Sequence, residues 1–214
     1  MKVVVFGSDR YLMALMPTFL HFYNAFWADN PWSLEVVSQT VKFSGLKTVM
    51  TGPDRTFSEQ VLRWATGAGD DPFLMMLDDY FLSRPVDTDM VLRCCEEMSA
   101  NRDIVHVNLK MIGGDTWRWR YNGYLGEFDK GRCDWLFQNQ AGLWRPQLLR
   151  DLTRPDENGW QMEIRGSQRA KHYPGRFLTV YENAIDYVNY MGRAGPRQEG
   201  LNWLAENGMA PIYP

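Results

Sequence analysis

Short apolar runs alternate with helical patterns along the first half of this chain. The runs are rich in valine, leucine and methionine, which is typical of strands buried inside a sheet. Between them, apolar residues recur at intervals of three and four, the spacing of one helix face. The runs lie at residues 2–7, 34–38, 46–52, 73–78 and 103–109, and the helical patterns at 11–27, 56–67 and 89–100. This order predicts an α/β, Rossmann-like fold with a central, mostly parallel sheet flanked by helices.

The pattern changes in the second half of the chain. Aromatic and charged residues alternate over residues 115–129 around Asn122-Gly123, a dipeptide that favours a two-residue hairpin turn. This predicts a small antiparallel insertion, so the whole sheet is expected to be mixed. Two short helices are expected at residues 145–153 and 159–173, then a strand and a closing helix. No repeat or linker interrupts the pattern, so we expect residues 1–214 to form a single domain.

Composition disfavours several classes of protein. The 214 residues carry a formal net charge of −3 and no run of lysines or arginines, so nucleic-acid binding is disfavoured. Three cysteines make neither a disulfide framework nor a CxxC metal pattern, which is typical of a reduced, cytoplasmic protein. No signal peptide is recognisable, and no apolar stretch of about twenty residues could span a membrane. Aromatic residues reach 14%, with nine tryptophans, which favours a sugar or nucleotide ligand.

Two adjacent aspartates follow one of the apolar runs. Residues 73–77, FLMML, are typical of an interior strand, and Asp78 and Asp79 come directly after it. Ligands of α/β sheets bind at the carboxyl ends of the strands. The pair is therefore expected to hold a polar ligand or a metal ion. The same position also suits carboxylates that cap a loop or pair with an arginine.

Three segments carry a resemblance to a known family. They are FGSDRYLMALMPTFLHFYNAFWADNPW; FLMMLDDYFLSRPVD; and QNQAGLWRPQLLRDL followed by ENGWQMEIRGSQRA. In order and spacing they resemble the GT-A fold glycosyltransferases, especially the small glycosyltransferase-like proteins of bacterial polysaccharide clusters and phages. The resemblance implies a GT-A fold in which residues 1–110 bind a nucleotide sugar and residues 111–214 form the acceptor and catalytic half.

The same resemblance implies a transferase that moves a sugar from a nucleotide-sugar donor, expected to be a UDP-sugar, to a hydroxyl of a glycan or glycoconjugate. The family's Asp-x-Asp motif binds Mn²⁺ or Mg²⁺, which neutralises the departing diphosphate. Here Asp79 is expected to bind the metal. Asp78 is expected to share the metal, contact the ribose or take part in catalysis. The Asp-Asp sequence departs from the motif, which leaves metal dependence open.

The catalytic base is expected at Glu163. The segment Trp160-x-x-Glu163 lies where the resemblance places the group that deprotonates the acceptor hydroxyl. A base on the face opposite the leaving group implies inversion at the anomeric carbon. A glutamate within an amphipathic helix also suits a salt bridge, here with Arg165 or Arg169. The next candidates for the base are Asp134, Asp156 and Glu157.

Ser8, Asp9 and Arg10 follow the first strand, where the family holds the nucleotide. Asp9 could accept hydrogen bonds from the base or ribose, and Arg10 could reach a phosphate. Capping of a turn is an equally good explanation for Asp9.

Further donor and acceptor contacts are expected beyond the acidic pair. Arg84, Lys171 and His172 are candidates for the diphosphate, and His172 is also a candidate third metal ligand, although a lone histidine in a loop is more often simply exposed. Trp144 is a candidate to stack on a sugar, or it packs beneath the hairpin. Gln138 and Gln140 are expected beside it, on the acceptor side. The remaining histidines, His21 and His106, lie within predicted elements and are expected to be structural.

Two other classes of protein share these features. One is a nucleotide-sugar-binding module without activity, which the imperfect aspartate motif favours. The other is a phage-type glycosyltransferase acting on modified DNA bases, against which the acidic composition speaks. The surroundings of Asp79 discriminate between acceptors, since a basic groove would favour DNA and an aromatic, acidic cleft would favour a glycan.

Overall fold

The computed structural model describes residues 1–53, 56–111 and 118–212 of the chain. Its first half alternates strands and helices, as the apolar runs predict. The elements are β1 (Val3–Phe6), α1 (Asp9–Phe26), β2 (Leu34–Ser38), β3 (Lys47–Met50), α2 (Phe57–Gly67), β4 (Phe73–Leu77), β5 (Tyr80–Leu82), α3 (Thr88–Ala100) and β6 (Ile104–Asn108). Every strand predicted in this half is present, and β5 is an addition.

The second half is built from shorter elements. They are β7 (Arg118–Arg120), β8 (Leu125–Phe128), β9 (Gly142–Trp144), α4 (Pro146–Leu152), α5 (Gly159–Ala170), β10 (Arg176–Val180), β11 (Tyr187–Asn189), β12 (Met191–Gly192), β13 (Gly195–Pro196) and α6 (Gln198–Glu206). The predicted hairpin around Asn122-Gly123 is present as β7 and β8, which pair antiparallel. Residues 115–117 of that predicted insertion lie outside the described residues.

Nine strands form one sheet in the order β3-β2-β1-β4-β9-β6-β10-β8-β7. The first four are parallel neighbours, and β10 is parallel to β6. Two strands, β9 and β8, run against the rest, since each pairs antiparallel with both of its neighbours. The sheet is therefore mixed and mostly parallel, as predicted.

Helices cover both faces of this sheet because its strands are apolar on both sides. Along β1, Val3 and Val5 belong to one hydrophobic cluster, and Val4 and Phe6 to the other. The first cluster includes buried side chains of α1, α3 and α6, and the second those of α2, α4 and α5. Within the described ranges, no helix combines the length and the apolarity that a membrane span requires.

The carboxyl ends of β1 and β4 lie side by side at one edge of the sheet. Phe6 pairs with Leu77, the last residue of β4. Beyond this point β5 leaves the large sheet and pairs antiparallel with β11. That pairing brings the C-terminal segment alongside Asp79, whose backbone carbonyl accepts a hydrogen bond of 2.9 Å from the Tyr190 amide. Elements from both halves of the chain thus meet where β4 ends.

Candidate active site

A cleft of about 650 Å³ opens at the carboxyl ends of β1 and β4. The first half of the chain contributes the segments that follow these two strands. The second half contributes the loop before β9, the first turns of α5 and the segment from β11 to the start of α6. Its polar and aromatic lining includes Ser8, Tyr11, Asp78, Asp79, Tyr80, Lys110, Trp135, Gln138, Asn139, Gln140, Trp160, Glu163, Tyr187, Asn189, Arg197 and Glu199.

Asp78 and Asp79 lie at the floor of this cleft and are both at least nine-tenths buried, with 7% and 9% exposure. The Asp78 Oδ2 atom is buried and has no hydrogen-bond partner among the described residues. Gly7, directly after β1, makes room for it, since a Cβ atom there would lie 2.6 Å from that oxygen. The Oδ2 atom of Asp79 accepts one hydrogen bond of 3.2 Å, from the Met191 amide. Two buried carboxylates are thus left short of donors.

This arrangement makes the charged form of the pair costly. Burial, followed by repulsion from Asp79, raises the pKa of Asp78 well above its usual range. Burial also raises the pKa of Asp79 to about 6, although the Met191 amide and the Arg197 guanidinium oppose the rise. In a structural ion pair, the positive charge of a lysine or arginine offsets the cost of burying a charged carboxylate. Here the carboxylates are available to a cation that enters from the cleft.

Glu163 lies in the second turn of α5 and also lines the cleft. Its Oε1 atom accepts a hydrogen bond of 2.7 Å from the Asn139 amide. The Asn139 carbonyl in turn accepts a hydrogen bond of 2.8 Å from the Tyr80 hydroxyl, and Tyr80 directly follows Asp79. Burial raises the pKa of Glu163, and the Asn139 amide partly offsets the rise. The backbone of one residue, Asn139, therefore connects Tyr80, next to the acidic pair, with the predicted base.

The alternative bases lie outside the cleft. Glu157 is buried and bound by Arg169 through two hydrogen bonds of 2.8 and 2.7 Å. Asp134 forms an exposed ion pair of 2.9 Å with Lys171. Asp156 is an exposed residue in the turn before α5. The salt bridges considered for Glu163 are instead made by Glu157, which leaves Glu163 facing the cleft.

Of the three residues predicted to hold the nucleotide, Ser8 lines the cleft and the other two do not. The Asp9 carboxylate accepts hydrogen bonds from the backbone amides of residues 39–41 and from the Thr40 hydroxyl. Burial alone would raise the pKa of Asp9, but these hydrogen bonds lower it. Arg10 is exposed and lies over the Tyr11 ring, 4.9 Å from its centroid. Asp9 therefore has the capping role that the sequence left open.

Three predicted cations are not among the residues that line the cleft. Arg84 is paired with Asp186. Lys171 and His172 follow the C-terminal end of α5, whereas the cleft is lined by the first turns of that helix. Eight residues of helix separate Glu163 from Lys171, about 12 Å along the axis. The structure therefore does not bring His172 to the aspartates as a third metal ligand. The described residues contain no cluster of three or more histidine, cysteine, aspartate or glutamate side chains suited to a metal ion.

Trp144 requires a correction. It is fully buried in β9, with its ring against His106 and Phe137 at centroid distances of 4.0 and 5.1 Å. A ring in this position is part of the core and cannot stack on a ligand. Trp144 therefore packs, as the alternative held, but against β6 and the loop before β9, since β6 and β10 separate β9 from the hairpin. Gln138 and Gln140 do line the cleft, on the side of Glu163. His106 is buried, as expected of a structural histidine, and His21 is exposed on α1.

Several residues of the cleft have no distinguishing sequence signal. Lys110 donates a hydrogen bond of 2.7 Å to the Tyr187 carbonyl and lies 3.9 Å from the centroid of the Tyr187 ring. Tyr187 stacks on Tyr80 at 4.1 Å. Arg197 is exposed beside Asp79 and supplies a positive charge. These side chains come from distant parts of the chain, and the folding of the C-terminal segment over the end of β4 brings them together.

The acidic pair fits a hard divalent cation with few protein ligands. Mg²⁺ and Mn²⁺ prefer oxygen ligands, and Mg²⁺ is commonly held by one or two carboxylates together with substrate phosphates and water. Asp78 and Asp79 offer such carboxylates, and the Oδ2 atom of Asp78, which accepts no hydrogen bond from any described residue, could serve as a ligand atom. A cation would also remove the repulsion that raises the pKa of Asp78. The site therefore suits a metal that a diphosphate completes.

No protein-family model matches the sequence, and no curated protein is detectably similar to it. Solved structures do share its fold. TarS of S. aureus, residues 1–349, matches with a TM-score of 0.57 and 12% identity over 87% of this chain and 59% of TarS. A UDP-glucose pyrophosphorylase complexed with UDP-glucose matches at 0.57 and 9% over 97% of this chain and 99% of that one.

A third similar structure is the mannosyltransferase PcManGT from Pyrobaculum calidifontis, in complex with GDP-Man and Mn²⁺. It has a TM-score of 0.56 and 13% identity, over 100% of this chain and 66% of that one. This chain thus spans little more than half of the TarS fragment that it matches. At identities of 9–13%, the similarity to these structures establishes the fold alone. That fold agrees with the sheet order and the helix layers of this chain. The protein has the GT-A-like, Rossmann-like α/β fold that its sequence predicted.

Proposed function

We propose that this protein is a glycosyltransferase that moves a sugar from a nucleotide-sugar donor to a hydroxyl of a glycan or glycoconjugate. One observation carries the proposal. A single cleft joins two buried, donor-poor carboxylates at the end of β4 to a third, Glu163, on α5. The arrangement provides a place for a departing diphosphate and a place for a base. The fold is shared with proteins whose structures contain UDP, UDP-glucose or GDP-Man, which supports a nucleotide-sugar donor.

The donor would occupy the side of the cleft formed by the first half of the chain. Asp78 and Asp79 would hold a divalent cation, Mn²⁺ or Mg²⁺, which when bound supplies positive charge for the departing diphosphate. Arg197 adds charge beside Asp79. Ser8, at the start of α1, would contact the nucleotide, which we propose to be UDP. In this division residues 1–110 bind the donor, and residues 111–214 provide the base and the acceptor side within one domain.

The chemistry would proceed by direct displacement. Glu163 takes the proton of the acceptor hydroxyl as that oxygen bonds to the anomeric carbon of the donor sugar. The bond from the anomeric carbon to the diphosphate oxygen breaks, and the nucleoside diphosphate leaves with the electron pair. Attack from the face opposite the diphosphate inverts the anomeric configuration. The raised pKa of Glu163, caused chiefly by burial, makes its carboxylate a better base than an exposed glutamate.

The cleft favours a glycan over DNA as the acceptor. Its lining holds four carboxylates, those of Asp78, Asp79, Glu163 and Glu199, against two cations, those of Lys110 and Arg197. Duplex DNA usually binds to a surface with an excess of lysine and arginine. Aromatic side chains, including Tyr11, Trp135 and Trp160, share this lining. The surroundings of Asp79 thus support the aromatic, acidic alternative.

The test is a panel of UDP-, GDP- and CMP-sugars incubated with the full chain and Mn²⁺ or Mg²⁺. We expect one donor to raise the melting temperature in the presence of metal and to release its nucleotide. Stabilisation without release, also with added glycans, would indicate a binding module. Because a pyrophosphorylase shares the fold over nearly its whole length, a parallel reaction contains a nucleoside triphosphate and a sugar 1-phosphate. Pyrophosphate formation there would refute the proposal in favour of nucleotidyl transfer.

A further inference from the structure

We infer that Trp135 and Trp160 form the platform on which a sugar ring of the acceptor stacks, an inference that rests on the proposed function. Both side chains line the cleft, and both are strongly exposed, at 43% and 41%. By contrast Trp27, Trp64 and Trp144 are buried in the core. Aromatic rings left exposed within a cleft mark a surface that a ligand covers.

The position of Trp160 relative to Glu163 indicates which ligand this is. The two residues are three apart on α5, so they share one face of the helix, and both line the cleft. A ring stacked on Trp160 would therefore present its edge towards the carboxylate of Glu163. Hydroxyl groups project from the edge of a sugar ring. Trp160 thus lies where the acceptor, and not the donor nucleotide, would be held.

The helix end that carries Trp160 is held in place before any ligand arrives. Asn158 caps α5, and its side chain and that of Gln161 exchange hydrogen bonds of 2.9 and 3.0 Å with each other's backbone amides. The guanidinium of Arg193 lies 4.6 Å from the centroid of the Trp160 ring, which restricts the ring while leaving it 41% exposed. An ordered ring offers contact area at a low cost in entropy.

The polar neighbours of this surface match a carbohydrate. The Nε2 atom of Gln138 and the Oδ1 atoms of Asn139 and Asn189 are buried and have no hydrogen-bond partner among the described residues. All three side chains line the same cleft. Neutral amides can donate to and accept from hydroxyls, which themselves do both. An apolar chain or a lipid surface would leave these groups unpaired, so the combination of rings and amides favours a sugar.

The experiment follows the indole N–H signals of the ¹⁵N-labelled full chain by NMR. The probes are cellotriose, maltotriose, mannotriose and N,N′,N″-triacetylchitotriose, together with vesicles of phosphatidylcholine and phosphatidylglycerol. Signals are assigned with the variants Trp135→Leu and Trp160→Leu. We expect at least one trisaccharide to shift the Trp135 and Trp160 signals. Trp160→Leu should weaken its binding roughly tenfold, and Trp160→Tyr by much less, because tyrosine keeps a ring.

Two matched controls separate stacking from other causes. Ile164 lies one turn further along α5 and is 45% exposed, and Trp119 is 64% exposed on β7. Ile164→Ala and Trp119→Leu should bind the trisaccharide as the unaltered chain does. Equal loss in Ile164→Ala and Trp160→Leu, or a response to vesicles alone, would mean an apolar docking surface and would overturn the inference. No shift of either indole with any of these probes would also overturn it.

Nucleotide release from the donor panel is measured on the same samples. If a donor is turned over while neither indole responds to a trisaccharide, the platform is wrong and the proposed function stands. If the indoles respond while no donor is bound or turned over, the sugar platform stands and the proposed function is wrong.

Discussion

Asp9 and the Asp78-Asp79 pair lie just beyond the carboxyl ends of two neighbouring strands, yet their surroundings differ sharply. Asp9 accepts hydrogen bonds from the amides of residues 39–41 and from the Thr40 hydroxyl. The Asp79 side chain accepts one hydrogen bond, from the Met191 backbone amide. The Oδ2 atom of Asp78 accepts none from the described residues. As a result the pKa is lowered for Asp9 and raised for both members of the pair. Position at a strand end therefore does not separate a carboxylate that the fold saturates with hydrogen bonds from one that it leaves short of donors.

The same contrast occurs beside and within α5. Glu157, just before the helix, is bound by Arg169 through two hydrogen bonds. Glu163, within it, faces the cleft and accepts one hydrogen bond from the Asn139 amide. Carboxylates that the fold pairs fully have a structural role, and those left short of donors lie in the cleft. This difference in hydrogen bonding is what the following predictions test.

The largest expected effect is that of Asp79→Asn. The change is nearly isosteric and keeps an acceptor for the Met191 amide, but it removes the charge that would attract a divalent cation. We expect metal-dependent donor binding to be lost while the fold is retained. Binding is measured by calorimetry with and without a chelator, and Asp9→Asn, at the other strand end, serves as control. Unchanged donor affinity in Asp79→Asn would contradict the assignment.

The next effect is that of Glu163→Gln. Because the base acts in the chemical step, donor affinity should stay close to that of the unaltered chain, while transfer falls by a factor on the order of 10² to 10⁴. Single-turnover transfer and donor binding are measured together. Glu199→Gln is the matched control, since Glu199 is the other glutamate of the cleft lining. A greater loss of transfer in Glu199→Gln than in Glu163→Gln would make Glu199 the base.

A third prediction concerns stability without metal. The pKa of Asp79 is raised from 3.8 to about 6, so between about pH 4 and pH 6 the folded chain binds more protons than the unfolded chain. Stability from this group is complete below pH 4 and is lost as pH rises through 6. Asp79→Asn should therefore raise the free energy of unfolding at pH 7, by up to about 3 kcal/mol for a shift of two units.

Asp9 provides the control of opposite sign. Its pKa is lowered, so its contribution to stability is present at neutral pH and is lost as pH falls through that lowered value. Asp9→Ala should thus destabilise the chain at pH 7 and have little effect at low pH. Urea unfolding in the presence of chelator, from about pH 2 to pH 8, measures both variants. A stability difference between Asp79→Asn and the unaltered chain that does not change with pH would contradict the third prediction.

The fold could be predicted because its main signals are local. Apolar runs and helical spacing in residues 1–110 place each strand and helix of that half except β5, and Asn122-Gly123 places the hairpin. The three residues of β9 are too few to show a period, and their place between β4 and β6 is set by distant pairing. For that reason the sequence leaves Trp144 open between stacking on a sugar and packing, although it lies in the core.

The residues that line the candidate site could be predicted only where a strand end or a motif marks them. Asp78 and Asp79 follow from the strand before them, and Glu163 from the resemblance. Tyr187 and Arg197 have no such marker, because they reach the cleft through the pairing of β11 with β5. The sequence also cannot tell that Asp9 is saturated with hydrogen bonds, since its donors lie some thirty residues away along the chain, in the loop after β2.

The smallest predicted effect tests whether Tyr80 positions Asn139, whose backbone amide donates the hydrogen bond to Glu163. The Tyr80 hydroxyl donates to the Asn139 carbonyl, and the amide of the same residue donates to Glu163. In Tyr80→Phe the carbonyl loses its partner and the amide is held less firmly. The pKa of Glu163, already raised by burial, should therefore rise further. We expect the acid limb of the pH dependence of kcat to move upwards by a fraction of a unit. Transfer should fall severalfold near that limb and recover at higher pH.

Tyr121→Phe is the control, because that hydroxyl donates a hydrogen bond of 2.6 Å to Glu97, away from the cleft. Loss of a purely structural hydrogen bond would lower stability in both variants without moving the limb. An acid limb in the same place in Tyr80→Phe and the unaltered chain would mean that Asn139 is fixed by other contacts and that Tyr80 does not tune the base.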